Sequence, residues 1–144
     1  MAVGTENGSV HLVDLHKRSI KNSLKTQSAV NCVKFLDNTL VMGMENGQIA
    51  FLSVPELTIL NQIYDSDSSV VSLLPLRNGC LVGKYDGACV WYGFDSNSGK
   101  IHEQIVVLTG ADVDPITDMA KDHEYVYTSC RDGTIRKYLI NSLF

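Results

Sequence analysis

Gly83-Lys84-Tyr85-Asp86-Gly87, followed at once by Ala88-Cys89-Val90-Trp91-Tyr92-Gly93-Phe94, is the stretch that decides the fold. An Asp-Gly pair between two apolar runs predicts a β-hairpin, because a tight primed turn needs positive φ at both central residues. The same arrangement occurs at Gly4-Thr5-Glu6-Asn7-Gly8, at Gly43-Met44-Glu45-Asn46-Gly47 and at Ser129-Cys130-Arg131-Asp132-Gly133. The closing glycines are spaced 39, 40 and 46 residues apart, so the turn belongs to a repeat.

The flanks repeat with the turns. Strand-like runs follow each one: Ser9 to Leu15, Gln48 to Val54, Ala88 to Phe94 and Thr134 to Ile140. Period-two alternation sets Val10, Ile49, Cys89 and Ile135 on one side and Val13, Leu52, Tyr92 and Tyr138 on the other. Both sides are largely apolar, which predicts sheets stacked on neighbouring sheets. Further runs before each turn (Leu40 to Met42, Cys80 to Val82) and between hairpins (Ile20 to Lys25, Val30 to Phe35, Thr58 to Tyr64, Val70 to Leu74, Ile101 to Leu108, Ile116 to Met119) bring the count to four strands per period. Four strands in roughly 40 residues is the arithmetic of a propeller blade. No stretch has a helical apolar period. The expectation is an all-β chain, a partial β-propeller of about three and a half four-stranded antiparallel blades in one segment over residues 1–144. Complete blades fall at about 29–65 and 66–111, with partial ones at 1–28 and 112–144.

On these residues the chain resembles the WD40-repeat (WD-repeat) β-propeller family over essentially its whole length. The run from Ser129 to Tyr138 carries the likeness best, with Tyr138 where the family commonly has Trp, and Tyr92, Leu52 and Val13 at that place elsewhere. The blades are divergent. The family joins a His, a Ser or Thr, a Trp and the turn Asp in one network, and no blade here has all four. Asp86 and Asp132 supply the Asp, with Asn7 and Asn46 standing in. In that family residues just before the turn Asp commonly contact partners. The resemblance therefore implies Glu6, Glu45, Tyr85 and Arg131 as partner-binding candidates. It also implies a last blade that borrows its fourth strand, so a chain opening on a second strand at Ala2 and ending on a third near Ile140 is expected to be the C-terminal half of a propeller. The chain would then be either a fragment or one subunit that a second polypeptide completes.

Composition narrows the function. A net charge of −4 gives no general attraction to nucleic acid or anionic lipid, and no run approaches the ~18 apolar residues of a membrane span. Cys32, Cys80, Cys89 and Cys130 lie in apolar runs without metal-ligand spacing, and the N-terminal residues lack a signal-peptide pattern. These features predict reduced thiols and an intracellular location. There is no phosphate-binding loop, nucleophile elbow or His-Glu-x-x-His motif, and His11, His16, His102 and His123 are scattered. Asp112, Asp114, Asp118, Asp122 and Glu124 lack the spacing of a calcium loop. The basic group Lys17, Arg18, Lys21 and Lys25 reads as a solvated edge that blocks strand pairing, and Trp91 as packed between blades. The expected function is a non-catalytic scaffold or adaptor that binds other proteins, with no catalytic residue, metal or cofactor. A hydrolase or lyase propeller with a polar site assembled from several blades is the alternative.

Overall fold

The computed structural model describes residues 1–144 as four antiparallel sheets followed by one helical turn. The first sheet has β1 (Ala2–Thr5), β2 (Ser9–Asp14) and β3 (Ser19–Lys25). The second has β4 (Val30–Leu36), β5 (Thr39–Met44), β6 (Ile49–Ser53) and β7 (Ile59–Ile63). The third has β8 (Val70–Pro75), β9 (Gly79–Lys84), β10 (Cys89–Asp95) and β11 (Lys100–Thr109). The fourth has β12 (Ile116–Lys121), β13 (Tyr125–Cys130) and β14 (Ile135–Leu139), and α1 (Ile140–Leu143) ends the chain. Each sheet is a meander whose strands pair in chain order. The sheets are the blades of a partial β-propeller: β1 packs on β4, β4 on β8 and β8 on β12.

Each interface between blades has its own apolar core. Leu40, Met42, Met44 and Leu52 of the second blade meet Val10 and Leu12 of the first. On the second blade's other face, Phe51 stacks on Phe94 of the third with ring centroids 4.4 Å apart. Trp91 and Leu81 of the third blade meet Ile116, Met119 and Val126 of the fourth, so Trp91 lies between blades. A knob-and-hole contact recurs at each step. A Cβ built on Gly4, Gly43 or Gly83 would lie 2.5, 2.4 or 2.8 Å from Val30, Val70 or Ile116, the first residue of the next blade's inner strand. Only glycine lets a β-branched side chain sit that close to the backbone.

Three expectations need correcting. The turns are not primed: Gly8, Gly47, Gly87 and Gly133 have positive φ, whereas Asn7, Asn46, Asp86 and Asp132 do not. Each glycine N–H instead bonds the carbonyl three residues back, at 3.0–3.2 Å, the pattern of a type I turn followed by a left-handed glycine. Coverage on both faces holds for the middle blades, but Ile135, at the place of the fully buried Ile49 and Cys89, is 76% exposed because no sheet of this chain follows it. The run from Thr134 to Ile140 stops being a strand at Leu139. Ile140 turns into α1, where it is buried against the third interface and donates its N–H to the Glu124 carbonyl at 2.8 Å. Leu15 likewise lies past its strand, where Asp14 Oδ1 accepts from the N–H groups of His16 and Lys17.

Candidate functional site

The turn residues build one rim. In three blades the turn Asn or Asp accepts from the N–H two residues on: Asn46 from Gln48 at 3.1 Å, Asp86 from Ala88 at 3.0 Å and Asp132 from Thr134 at 2.8 Å. That local bond is the reason for Asn or Asp at these places. The first blade differs, since Ser9 N–H donates to Thr5 Oγ1.

The residue before each Asn or Asp is then tied by its main chain to the segment that joins the blades. Glu45 N–H donates to Ala29 O, Tyr85 N–H to Ser69 O and Arg131 N–H to Pro115 O, at 2.9, 2.9 and 3.0 Å. Asn46 and Asp86 N–H add bonds to Ser28 Oγ and Ser68 Oγ. Glu45, Tyr85 and Arg131 therefore hold equivalent positions on a braced loop, with their side chains exposed. Glu6 is also exposed but has no joining segment to brace it.

The rim side chains divide into two pairs of contacts. Arg131 Nη1 reaches the Tyr85 hydroxyl at 3.4 Å, although the two residues are 46 positions apart in the chain. Glu45 accepts from Asn31 Nδ2 at 2.7 Å, and Ser69 Oγ holds the Glu45 carbonyl at 2.6 Å. Sequence reasoning had no signal for Asn31, which also reaches Val70 O and so spans two blades. The rim thus offers an acidic group on the second blade and a Tyr–Arg pair across the third and fourth.

Below the rim, Lys84 is 2% exposed and pairs with Asp65, which also accepts from the Tyr92 hydroxyl. Lys84 Nζ donates to Ser66 Oγ at 2.9 Å as well. Burial pushes the Asp65 carboxyl up, but the bonds from Lys84 and Tyr92 outweigh it and hold the group below the ordinary carboxylate range. Burial and the same carboxylate push the Tyr92 phenol up. Tyr92 holds the place where the WD-repeat family commonly has Trp, so this network occupies the site of a family network of which no blade here has all four members.

His11, Asp95 and Asp122 make local hydrogen bonds. His11 Nδ1 meets Ser23 Oγ at 2.6 Å. His102 lines a cavity of about 300 Å³ with Asp37 and Asp95, and the Ser98 hydroxyl and Asn97 N–H hold the Asp95 carboxyl below its ordinary pKa. Asp122, beside His123, accepts from the N–H groups of Tyr125 and Glu124 and from the Tyr127 hydroxyl, which lower its pKa in the same way. Cys80 and Cys89 are buried, Cys32 is half-buried, and burial pushes all three thiols up to about 12. These are packing groups rather than nucleophiles. No helix is long and apolar enough to cross a membrane.

Comparison with known proteins adds relatives of one name. The chain is 30% identical over 146 residues to the human Proteasomal ATPase-associated factor 1, covering 99% of this chain and 36% of that protein. The chicken (Gallus gallus) protein of that name is 31% identical over 145 residues, and the bovine (Bos taurus) one 35% over 117. The chain spans about a third of the length of the curated relatives it matches. Among solved structures it resembles the computationally designed Ika4 protein, with a TM-score of 0.79 at 19% identity, over 96% of this chain and 83% of that one. The designed Ika8 protein also gives 0.79 at 19% identity, over 99% of this chain and 43% of that one. At that identity the likeness speaks for the fold alone. No family model matches the sequence.

Proposed function

We propose that this chain is a non-catalytic, protein-binding part of a WD-repeat-type propeller whose rim docks a partner protein through Tyr85 and Arg131, with Glu45 and Glu6 beside them. The observation that carries this reading is the braced rim. A Tyr and an Arg from different blades stand in contact on loops that main-chain bonds hold still. Tyr and Arg are the residue types enriched at binding hot spots, and a preordered loop loses little entropy on docking. The relatives' name adds the class of partner, an ATPase of the proteasome. The four unpaired thiols, three of them buried, suit a reducing, intracellular compartment. The uncovered outer faces of the first and fourth blades are read as seats for further sheets, supplied by a longer form of the same protein or by a second polypeptide.

The test is a calorimetric titration of the chain with purified proteasomal ATPase subunits. Tyr85→Ala and Arg131→Ala should each weaken binding by roughly 2 kcal/mol. Because the two side chains touch, the double variant should lose less than the sum. Unchanged affinity in all three variants would place the contact on another surface. For the outer faces, sedimentation of the isolated chain as a monodisperse monomer at high concentration would argue against further sheets.

A further inference from the structure

Just beneath the rim, the interface between the first and second blades is open at the place where Lys84 and Arg136 fill the other two. In the third blade Lys84 precedes the rim residue, Val90 pairs with Val82, and Asp65 reaches over from the joining segment. In the fourth blade Arg136 takes the place of Val90, with one guanidinium nitrogen fully buried. In the second blade the matching residues are Met44 and Ala50, both uncharged and the second much smaller. The segment from Leu24 to Val30 is also one residue shorter than that from Ile63 to Val70, so nothing corresponds to Asp65. The result is a cavity of about 340 Å³ between the first and second blades, open to solvent, within the size range of ligand sites.

The lining states what would fit. Met42, Met44, Leu24 and Ala50 form an apolar floor, and methionine adapts to varied apolar side chains. Gln27, Gln48 and Gln62 also line it; Gln48 Oε1 accepts from Asn46 Nδ2 at 3.0 Å, which leaves its amide N–H groups, and both ends of the Gln27 and Gln62 amides, to pair a peptide backbone. Lys25 is the one charged residue of the lining, and Lys21 follows the same edge strand on a chain whose net charge is −4. A local positive sector with no carboxylate in the lining favours an anionic ligand.

We propose that this cavity is a peptide-binding site that takes one aliphatic side chain of an extended acidic segment of a partner protein. It adjoins Glu45 of the rim but none of its lining residues is Tyr85 or Arg131, so the cavity and the Tyr–Arg pair can fail independently.

The test uses the four methionines, with their methyl groups ¹³C-labelled, and the peptide acetyl-Glu-Glu-Leu-Glu-Glu-amide as probe. Met42 and Met44 report on the cavity, while Met119, buried in the third interface, is the internal control. Titration should shift the Met42 and Met44 methyls and leave Met119 in place. Replacing the central leucine by serine should weaken binding by about tenfold, the worth of one buried aliphatic side chain. Ala50→Arg, which copies the residue of the fourth blade, should abolish the shifts. If that variant does not fold, Lys25→Glu keeps the test alive and should weaken binding about threefold or more at low salt. Tyr85→Ala with Arg131→Ala should bind the peptide as the parent does, which separates this site from the Tyr–Arg pair. The proposal is overturned by unmoved Met42 and Met44 methyls at millimolar peptide, or by equal binding of the leucine and serine peptides. Equal binding of a lysine-flanked peptide, or Met42 and Met44 shifts on dilution without peptide, the mark of a second copy in the groove, would overturn it too.

Discussion

The second and third blades and the first and fourth share the same hairpin chemistry but not the same surroundings. Every residue of β5 and β9 is buried, and so is nearly every residue of β6 and β10. In the corresponding second and third strands of the end blades, β1 and β14 have no buried residue, β2 has two and β13 three. The alternation of apolar residues is nonetheless alike, with Val10, Ile49, Cys89 and Ile135 at one place. What differs is the neighbour. Pattern and turn chemistry specify a blade locally, but the stabilisation comes from the sheet laid against it, as in other stacked-repeat proteins.

That contrast can be tested by matched substitutions. The largest effect is expected for Phe51→Ala, which removes a fully buried ring stacked on Phe94 and should cost about 4 kcal/mol in urea unfolding. Gly43→Val comes next. Its side chain would start 2.4 Å from Val70 and 2.8 Å from Cys32, so overpacking of roughly 2–3 kcal/mol is expected, against little change for Ser129→Val at the same place in the uncovered fourth blade. If both valines cost the same, the outer face of the fourth blade is covered after all.

Lys84→Met should cost about 2 kcal/mol, less than for a fully buried pair because Asp65 is partly exposed. Asp65 has a folded-state pKa below its unfolded value, so its contribution is present above roughly pH 4 and is lost as pH falls through the folded value. The stability difference between parent and Lys84→Met should therefore shrink on acidification below about pH 4; a constant difference would show that the pair is not what Lys84 contributes. The smallest effect belongs to Ile135→Ala, expected within about 0.5 kcal/mol by thermal unfolding.

The period, the four hairpins and the inner blades' cores were legible in the sequence because turn residues and alternation are local signals. The knob-and-hole contacts were not, since Gly43 and Val70 meet only after two strands and a loop intervene. Lys84 read as part of a turn, and nothing local announced that Asp65, the one extra residue of its segment, would bury it. The positive φ expected at Asn46 and Asp86 failed because their side chains take a backbone bond that the type I geometry leaves free. Of the candidate site, Tyr85 and Arg131 were found by position, but their contact depends on the angle between blades, which no single strand encodes. The cavity beside Met44 arises from a missing residue and a small one, and absences of that kind leave little trace in a pattern.

The bonds from the backbone of Glu45, Tyr85 and Arg131 to the joining segments have a consequence for how such a surface changes over evolutionary time. Because the bond to the joining segment is made by the main-chain N–H, it does not depend on which side chain stands at the position. A repeat can be copied with its geometry intact and its contents rewritten, one position at a time, without passing through a misfolded intermediate. Glutamate, tyrosine and arginine at three equivalent places show how different the side chains can be on one braced backbone.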